Sequence, residues 1–110
     1  MIVKAYPYLD IYKSLTQNQS MSSTIVLLTD FNLRDPYLGQ MKGVLASLAP
    51  QVPIIDLVHE LKAHNVPQAE FILRASHGFF PKQSIFICVV DPEVGTSRAI
   101  IMAQANGQIF

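Results

Sequence analysis

The sequence predicts an α/β domain in which helices cover both faces of a mainly parallel sheet. Short runs of β-branched and other apolar residues alternate with longer segments whose apolar residues recur at helical spacing. The apolar runs end at turn residues, and three of them lead into a carboxylate or an imidazole. The chain has 110 residues, of which 50% are hydrophobic and 15% charged, which suits one domain with a packed core.

The composition excludes several classes of protein. The formal net charge is zero, so the chain lacks the basic surface that nucleic-acid binding requires. Cys88 is the only cysteine, which rules out an internal disulfide, and its place in an apolar strand predicts a buried, unreactive thiol. A zinc site would need more Cys, or His at ligand spacing, so no metal is predicted. No apolar run is long enough to span a membrane, and we expect a cytoplasmic protein.

The first 23 residues differ from the rest of the chain. They contain a tyrosine-rich patch followed by a polar run, and they lack the charged start and apolar core of a secretory leader. We interpret residues 1–23 as a tail or linker, with Met21 as an alternative start of translation. The alternative is a short helix over residues 9–15 that packs on the domain.

The first strand and helix are predicted over residues 24–29 and about 37–48. Pro36 suits the first turn of this helix, and Asp35 is the candidate N-cap, because its side chain can accept a hydrogen bond from a backbone N–H of the first turn. Four apolar residues of this helix recur at helical spacing, which predicts that they form its buried face. These residues are Leu38, Met41, Val44 and Leu45.

The remaining elements complete an alternating pattern. Asn65 is a candidate cap for the second helix, and Asn106-Gly107 is a hairpin signal before a short return strand. We therefore predict a Rossmann-like three-layer domain over residues 24–110 that is incomplete at its C-terminal end. The further strands are predicted over residues 52–58, 85–90 and 99–103, and the second helix over residues 66–79.

Three strand ends carry the candidate functional residues: Asp30, His59 near Asp56, and Asp91. Parallel strands bring such ends to one edge of the sheet, where α/β domains bind ligands. Neither a dinucleotide-binding glycine motif nor a Walker loop follows the first strand. The Asp30 carboxylate instead suits a vicinal diol or a cationic ligand, because it offers two acceptor oxygens.

Asp91 is followed by a Pro/Gly turn and then by Arg98. A carboxylate and a guanidinium that face each other can position and polarise a water molecule. The alternative is an Asp that caps its own turn and an Arg on the surface. Two roles are likewise open for Asp35, contact with a ligand or capping of the first helix.

Five motifs in order resemble the S-adenosylmethionine hydroxide adenosyltransferases. These enzymes are also called adenosine-forming S-adenosylmethionine hydrolases, and they are related to fluorinases and chlorinases. The motifs are Thr-Asp-Phe at 29–31, Asp-Pro-Tyr-Leu-Gly-Gln-Met-Lys-Gly at 35–43, Ile-Asp-Leu-Val-His-Glu at 55–60, Phe-Pro-Lys at 80–82 and Val-Asp-Pro-Glu-Val-Gly-Thr-Ser-Arg at 90–98.

The resemblance implies hydrolysis of S-adenosyl-L-methionine to adenosine and L-methionine by attack of water at the ribose C5′. By motif position, Asp91 and Arg98 correspond to two of the three water-activating residues, and Asp30 corresponds to the carboxylate that holds the ribose hydroxyls. No cofactor is implied, because S-adenosyl-L-methionine is the substrate. The fluorinase carries Tyr where this chain has Asp91, which favours the hydrolase branch. Further substrate contacts are expected at Phe31, Asp35, Tyr37, His64 and Val94.

The resemblance also implies that this chain holds only part of the site. In the family, a catalytic His and a C-terminal β-barrel domain follow the segment matched here, and the site forms between subunits of a homotrimer. We therefore expect the chain alone to have little or no turnover. The competing hypotheses are a nucleoside-binding module without catalysis, a halogenase, and an unrelated domain that binds phosphate at Gly95-Thr96.

Overall fold

A computed structural model of the chain describes residues 2–5, 23–90, 95–97 and 99–110. Within these residues the fold has two α-helices, α1 (Tyr37–Leu48) and α2 (Val66–Ser76), and a 3₁₀ turn at His77–Phe79 follows α2. The strands are β1 (Ile2–Ala5), β2 (Ile25–Thr29), β3 (Ile54–Val58), β4 (Ile85–Val89), β5 (Ile101–Ala105) and β6 (Gln108–Ile109).

All six described strands lie in one sheet, in the spatial order β1, β5, β6, β4, β2, β3. Strand β2 pairs in parallel with both β3 and β4, and β4 pairs in parallel with β6. The other end is antiparallel, because β5 pairs with β6 through a hairpin and with β1. The predicted α/β class is confirmed, and the sheet is mixed, with its parallel part at β3, β2, β4 and β6.

The two helices cover opposite faces of the sheet around β2. Successive side chains of a strand point to opposite faces, and every residue of β2 is buried. Leu27 packs with Leu38 and Leu45 of α1, whereas Leu28 packs with Ala69 of α2. The core therefore lies on both faces of the sheet around β2, and the loops after β2 and β3 share one edge of the sheet.

The first helix has the predicted bounds but not the predicted details. Pro36 occupies the N-cap position without a side-chain hydrogen bond, so the prediction that Asp35 caps this helix is wrong. Val44 was predicted to be buried, but it is 53% exposed. The apolar stripe is narrower than predicted because Leu38 and Leu45 are the buried residues of this helix.

The second helix begins as predicted. The side-chain oxygen of Asn65 accepts a hydrogen bond from the backbone N–H of Gln68 at 3.0 Å, and a proline lies in the first turn. The predicted helix over residues 66–79 becomes an α-helix to Ser76 and a 3₁₀ turn to Phe79. The tighter last turn is a common way for a helix to end.

The antiparallel end of the sheet differs most from the structure predicted from the sequence. Strand β1, within the segment interpreted as a tail or linker, pairs with β5. Strand β5 begins two residues later than the predicted strand over residues 99–103. Asn106 and Gly107 both have positive φ, at 54° and 77°, so the hairpin follows the predicted turn chemistry.

Cys88 lies on β4 but is exposed, so the prediction of a buried thiol is wrong. The neighbouring apolar groups still desolvate the sulfur, and this desolvation raises the pKa of the Cys88 thiol from 9.0 to about 11. The thiolate is the reactive form of cysteine. An unreactive thiol is therefore expected at neutral pH, despite the exposure.

None of the helices within the described residues is long and apolar enough to cross a membrane.

Gln108 ties strand β6 to the segment that follows α2. Its side chain is buried, and Nε2 lies 3.0, 3.1 and 3.2 Å from the carbonyl oxygens of His77, Phe80 and Pro81. Oε1 lies 3.2 Å from Nδ1 of the His77 ring. One amide therefore satisfies several polar groups where the helical segment meets the sheet.

We predict that Gln108→Ala lowers the free energy of unfolding by about 1–3 kcal/mol, because the buried amide and its hydrogen bonds to three partly buried carbonyl groups are lost. The matched control is Gln104→Ala, since Gln104 is an exposed glutamine on the adjacent strand β5, and we expect a change of less than about 0.5 kcal/mol there. Urea denaturation of both variants measures the difference. Equal losses in the two variants would contradict the role assigned to the Gln108 amide.

Candidate functional site

The candidate site lies where β2, β3 and β4 end at one edge of the sheet. Asp30 follows β2 directly, and its backbone N–H donates to the carbonyl of Val89, the last residue of β4, at 3.3 Å. The backbone N–H of Asn32 donates to the carbonyl of His59, just after β3, at 2.7 Å. The loop after β2 is therefore tied to the ends of both neighbouring strands, as the predicted convergence requires.

The Asp30 carboxylate is held in a defined position. Its Oδ2 accepts a hydrogen bond from the backbone N–H of His64 at 2.8 Å, and Nδ1 of the His64 ring lies 3.9 Å from the same oxygen. The Asp30 side chain is 13% exposed and that of His64 is 58% exposed. Among the described residues, the other carboxylate oxygen of Asp30 has no hydrogen-bond partner.

One asparagine and one histidine have a left-handed backbone conformation in the loops after β2 and β3. Asn32 and His64 have φ values of 57° and 59°, in the left-handed region. Asn adopts this region more readily than most residues, and the side-chain oxygen of Asn32 accepts hydrogen bonds from the backbone N–H groups of Arg34 and Asp35. Asn32 thus provides both the backbone conformation and the side-chain acceptor that this turn requires.

Phe31 and Tyr37 form the apolar part of the candidate site. Their ring centroids are 6.2 Å apart, with an angle of 59° between the planes, which is a favourable tilted arrangement. Phe31 follows Asp30 in the chain, whereas Tyr37 begins α1 and is 58% exposed. An aromatic surface therefore lies in the same loop-and-helix segment as the carboxylate.

Asp35 is exposed, and its carboxylate makes one weak contact within the described residues. Its Oδ2 lies 3.4 Å from the side-chain nitrogen of Asn32. Because this carboxylate does not cap α1, it is available to a ligand. Five of the expected substrate-contact residues thus lie in the loops after β2 and β3 and in the first turn of α1. These residues are Asp30, Phe31, Asp35, Tyr37 and His64.

The remaining predicted residues, Asp91, Arg98 and Val94, lie outside the described residues. The catalytic roles predicted for Asp91 and Arg98 therefore stay predictions. The described part of the chain ends at Val90 on one side of this segment and resumes at Gly95. Within the described residues, no group of three or more His, Cys, Asp or Glu side chains could hold a metal ion.

His59 was predicted to be at the mouth of the strand edge, but it is buried, with 5% exposure. Its ring Nδ1 lies 2.8 Å from the hydroxyl oxygen of Thr29, the last residue of β2. Its Nε2 lies 3.1 Å from Oδ1 of Asp56, which is close enough for an ion pair, although no hydrogen bond of good geometry forms there among the described residues. His59 is therefore buried against Thr29 and does not line the candidate site.

A register shift explains why His59 turns inward. Leu27 of β2 pairs with Asp56, but the next residue, Leu28, pairs with Val58, so β3 carries one extra residue at this point. Such an insertion reverses the alternation of side chains between the two faces. Asp56 and His59 consequently lie on the same side of the sheet, where regular alternation would have separated them.

Asp56 is exposed and lies between the buried His59 ring and Lys42 at the surface. Its Oδ2 lies 2.6 Å from Nζ of Lys42 on α1. Desolvation acts to raise the pKa of the Asp56 carboxyl, but the contacts with Lys42 and His59 outweigh it, so the pKa lies below the ordinary value of 3.8. The carboxylate form of Asp56 is therefore favoured in the folded chain.

We predict that Lys42→Met raises the pKa of Asp56, because the variant removes the nearest cation. A lowered pKa stabilises the folded chain above pH 3.8, and that contribution is lost as the pH falls below 3.8 through the folded-state pKa. The loss of stability that Asp56 contributes on acidification should therefore be smaller in the variant, and the difference is small because the pair is partly exposed. Carboxyl ¹³C NMR titration measures the shift, with Lys62→Met as the control. An unchanged Asp56 titration in Lys42→Met would contradict this assignment.

Parallel strands that bring a carboxylate and aromatic side chains to one sheet edge are typical of α/β domains that bind a small molecule there. The chain belongs to the family of the SAM hydroxide adenosyltransferase N-terminal domain, whose model matches residues 25–110. This match confirms the resemblance inferred from the five motifs.

The similar proteins agree with this assignment. The chain is 37% identical over 79 residues to the (R)-S-adenosyl-L-methionine hydrolase of Thermus thermophilus, covering 72% of this chain and 31% of that protein. It is 34% identical over 90 residues to the protein of the same name from Methanocaldococcus jannaschii, covering 78% of this chain and 34% of the relative. A fluorinase from Nocardia brasiliensis is a more distant relative, at 24% identity over 93 residues.

Solved structures show the same fold. The crystal structure of an uncharacterized conserved protein from Thermotoga maritima aligns with a TM-score of 0.74 and 41% identity, covering 79% of this chain and 34% of that one. The chain therefore spans about a third of the length of the curated relatives and solved structures that it matches. The family is one of enzymes, since its curated relatives include hydrolases and fluorinases.

Proposed function

We propose that this chain forms one side of an active site that hydrolyses S-adenosyl-L-methionine to adenosine and L-methionine. The observation that carries the proposal is the Asp30 carboxylate, held by the His64 backbone at the sheet edge beside the end of β4. The hydrolase relatives at 34–37% identity support the same substrate. Because the chain spans about a third of those relatives, we propose that the rest of the site comes from a longer protein or a neighbouring subunit of a homotrimer.

Asp30 would hold the ribose of the substrate. A carboxylate can accept hydrogen bonds from both hydroxyls of a vicinal diol, and the Asp30 oxygen without a partner in the described residues is suited to this. The aromatic pair of Phe31 and Tyr37 would contact apolar parts of the substrate. His64 and Val94 are further proposed contacts, and the exposed carboxylate of Asp35 suits the cationic methionine part of the substrate.

The reaction needs an oriented water molecule more than an acid. The sulfonium makes methionine a good leaving group, so a new C5′–O bond forms as the C5′–S bond breaks and its electron pair passes to sulfur. Asp91 would accept the proton of the attacking water, and Arg98 would stabilise the developing hydroxide. Holding the water in line with the C5′–S bond accounts for much of the expected rate.

Binding measurements on the 110-residue chain test this proposal. We expect saturable binding of S-adenosyl-L-methionine by isothermal titration calorimetry, competition by adenosine, and little or no adenosine release by the chain alone. Absence of binding, or competition by inorganic phosphate but not by adenosine, would overturn the proposal. Robust release of adenosine would show instead that this chain holds a complete site.

A further inference from the structure

We propose that His59, acting through Thr29, is the positioning residue that holds Asp30 in its ligand-binding place. His59 contacts neither the substrate nor the reacting atoms in this scheme. The inference rests on the proposed function of Asp30 as the ribose carboxylate. It assigns a role to a buried imidazole that the proposed hydrolysis does not otherwise use.

The first support is that His59 holds the loop after β2 at two points. Its ring Nδ1 lies 2.8 Å from the hydroxyl of Thr29, and that hydroxyl accepts a hydrogen bond from the backbone N–H of Phe31 at 3.2 Å. The backbone carbonyl of His59 accepts from the N–H of Asn32 at 2.7 Å. Asp30 lies between these two tethers, so His59 fixes the backbone that carries the carboxylate.

The second support is that the three consecutive backbone N–H groups of this loop all have internal acceptors. Asp30 donates to Val89, Phe31 to the Thr29 hydroxyl, and Asn32 to His59. One of these acceptors is a side chain, and that side chain depends on His59 for its orientation. The arrangement leaves little freedom for the Asp30 carboxylate, whose Oδ2 is in turn held by the His64 N–H.

The third support is that the pairing works in either state of the imidazole. A hydroxyl offers one donor and two acceptor sites. The Thr29 hydroxyl can donate to a neutral Nδ1 or accept from a protonated one, and in both cases it still accepts from Phe31. Thr29 is fully buried, so water does not compete for this hydroxyl, and a buried group without its partner would be costly.

The opposite side of the ring faces Asp56. Nε2 of His59 lies 3.1 Å from the Asp56 carboxylate, which is anchored by Lys42 at 2.6 Å. The imidazole therefore lies between the Lys42–Asp56 ion pair and the strand hydroxyl, and its hydrogen bond among the described residues is the one with Thr29.

Two substitutions at Thr29 test the proposal without a ligand. Thr29→Val keeps the shape of the side chain but removes the hydroxyl, whereas Thr29→Ser keeps the hydroxyl and removes a methyl group. The readout is hydrogen exchange of the His64 amide, which donates to Asp30. In Thr29→Val we expect this exchange to rise about threefold to tenfold, the effect of losing one hydrogen bond, and to stay near the unmodified rate in Thr29→Ser.

The amide of Gln83, which donates to Gly107 far from the site, controls for general destabilisation. An equal rise at Gln83 and His64, or no rise at His64, would overturn the positioning role. His59→Ala should reproduce the His64 effect of Thr29→Val, and the double variant should add little to it. Full additivity of the two substitutions would show that His59 does not act through Thr29.

Ligand discrimination gives the second readout. The ratio of affinities for adenosine and 2′,3′-dideoxyadenosine reports the ribose hydroxyls. We expect this ratio to fall about threefold to tenfold in Thr29→Val and to be restored in Thr29→Ser. An unmodified chain that binds both nucleosides equally would refute the ribose role of Asp30, while the exchange data would still decide whether His59 positions Asp30. A ratio unchanged in Thr29→Val would overturn the positioning role alone.

Discussion

Asp91→Asn is expected to lower the rate of adenosine release by about 10²- to 10⁴-fold, the usual contribution of a positioned acid or base. The variant keeps the size of the side chain but removes the group that would accept the proton of the attacking water. Activity would be measured in a chimera in which residues 25–110 of this chain replace the matching segment of the Thermus thermophilus relative. The chimera supplies the rest of the proposed site.

Glu70→Gln is the matched control for Asp91→Asn. Glu70 is an exposed carboxylate on α2 that pairs with Arg74 at 2.9 Å, and it lies in neither of the site loops. The Glu70→Gln variant makes the same change of charge as Asp91→Asn, so its rate of adenosine release should equal that of the unmodified chimera. If Asp91→Asn bound the substrate and released adenosine at the unmodified rate, the water-activating role would be wrong.

Asp30→Asn is expected to weaken adenosine binding by about tenfold to a hundredfold, because hydrogen bonds to a charged acceptor contribute more than neutral ones. The amide oxygen of Asn can still accept from the His64 N–H, so the loop should keep its shape. Isothermal titration calorimetry of the 110-residue chain measures the affinity.

Binding of 2′,3′-dideoxyadenosine provides the internal comparison for Asp30→Asn. This nucleoside lacks the hydroxyls that Asp30 would hold, so its affinity should change little in the variant. Equal weakening of both nucleosides would point to a disturbed loop, and an unchanged adenosine affinity would remove Asp30 from the ribose site.

Much of the fold could be predicted because its signals are local. Helix α1 has the predicted bounds, since Pro36 and Pro50 limit it, and Asn65 caps α2 through a hydrogen bond within the same helix turn. Strand β1 was missed because its identity depends on pairing with β5, about a hundred residues away in the chain, and no local turn signals that pairing.

The sheet edge at which the candidate residues lie could be predicted from the sequence, but the burial of His59 could not. The rule that parallel strand ends converge placed Asp30 and His59 near each other, and their loops are in fact hydrogen-bonded. The extra residue in β3 turns the His59 side chain inward, and no pattern of residue types in that stretch specifies this shift. The sequence does offer one indication of a polar contact here. Thr29 ends an otherwise apolar run, and its hydroxyl is the partner of the His59 ring.

The most direct test of the account is product analysis of the unmodified chimera with S-adenosyl-L-methionine in the presence of excess chloride. Chromatography should show adenosine and methionine in equal amounts and no halogenated nucleoside, because water is the proposed nucleophile. A 5′-chloro nucleoside as the main product would assign the chain to the halogenase branch. A chimera that binds the substrate and leaves it uncleaved would contradict the proposal that residues 25–110 provide one side of a hydrolytic site.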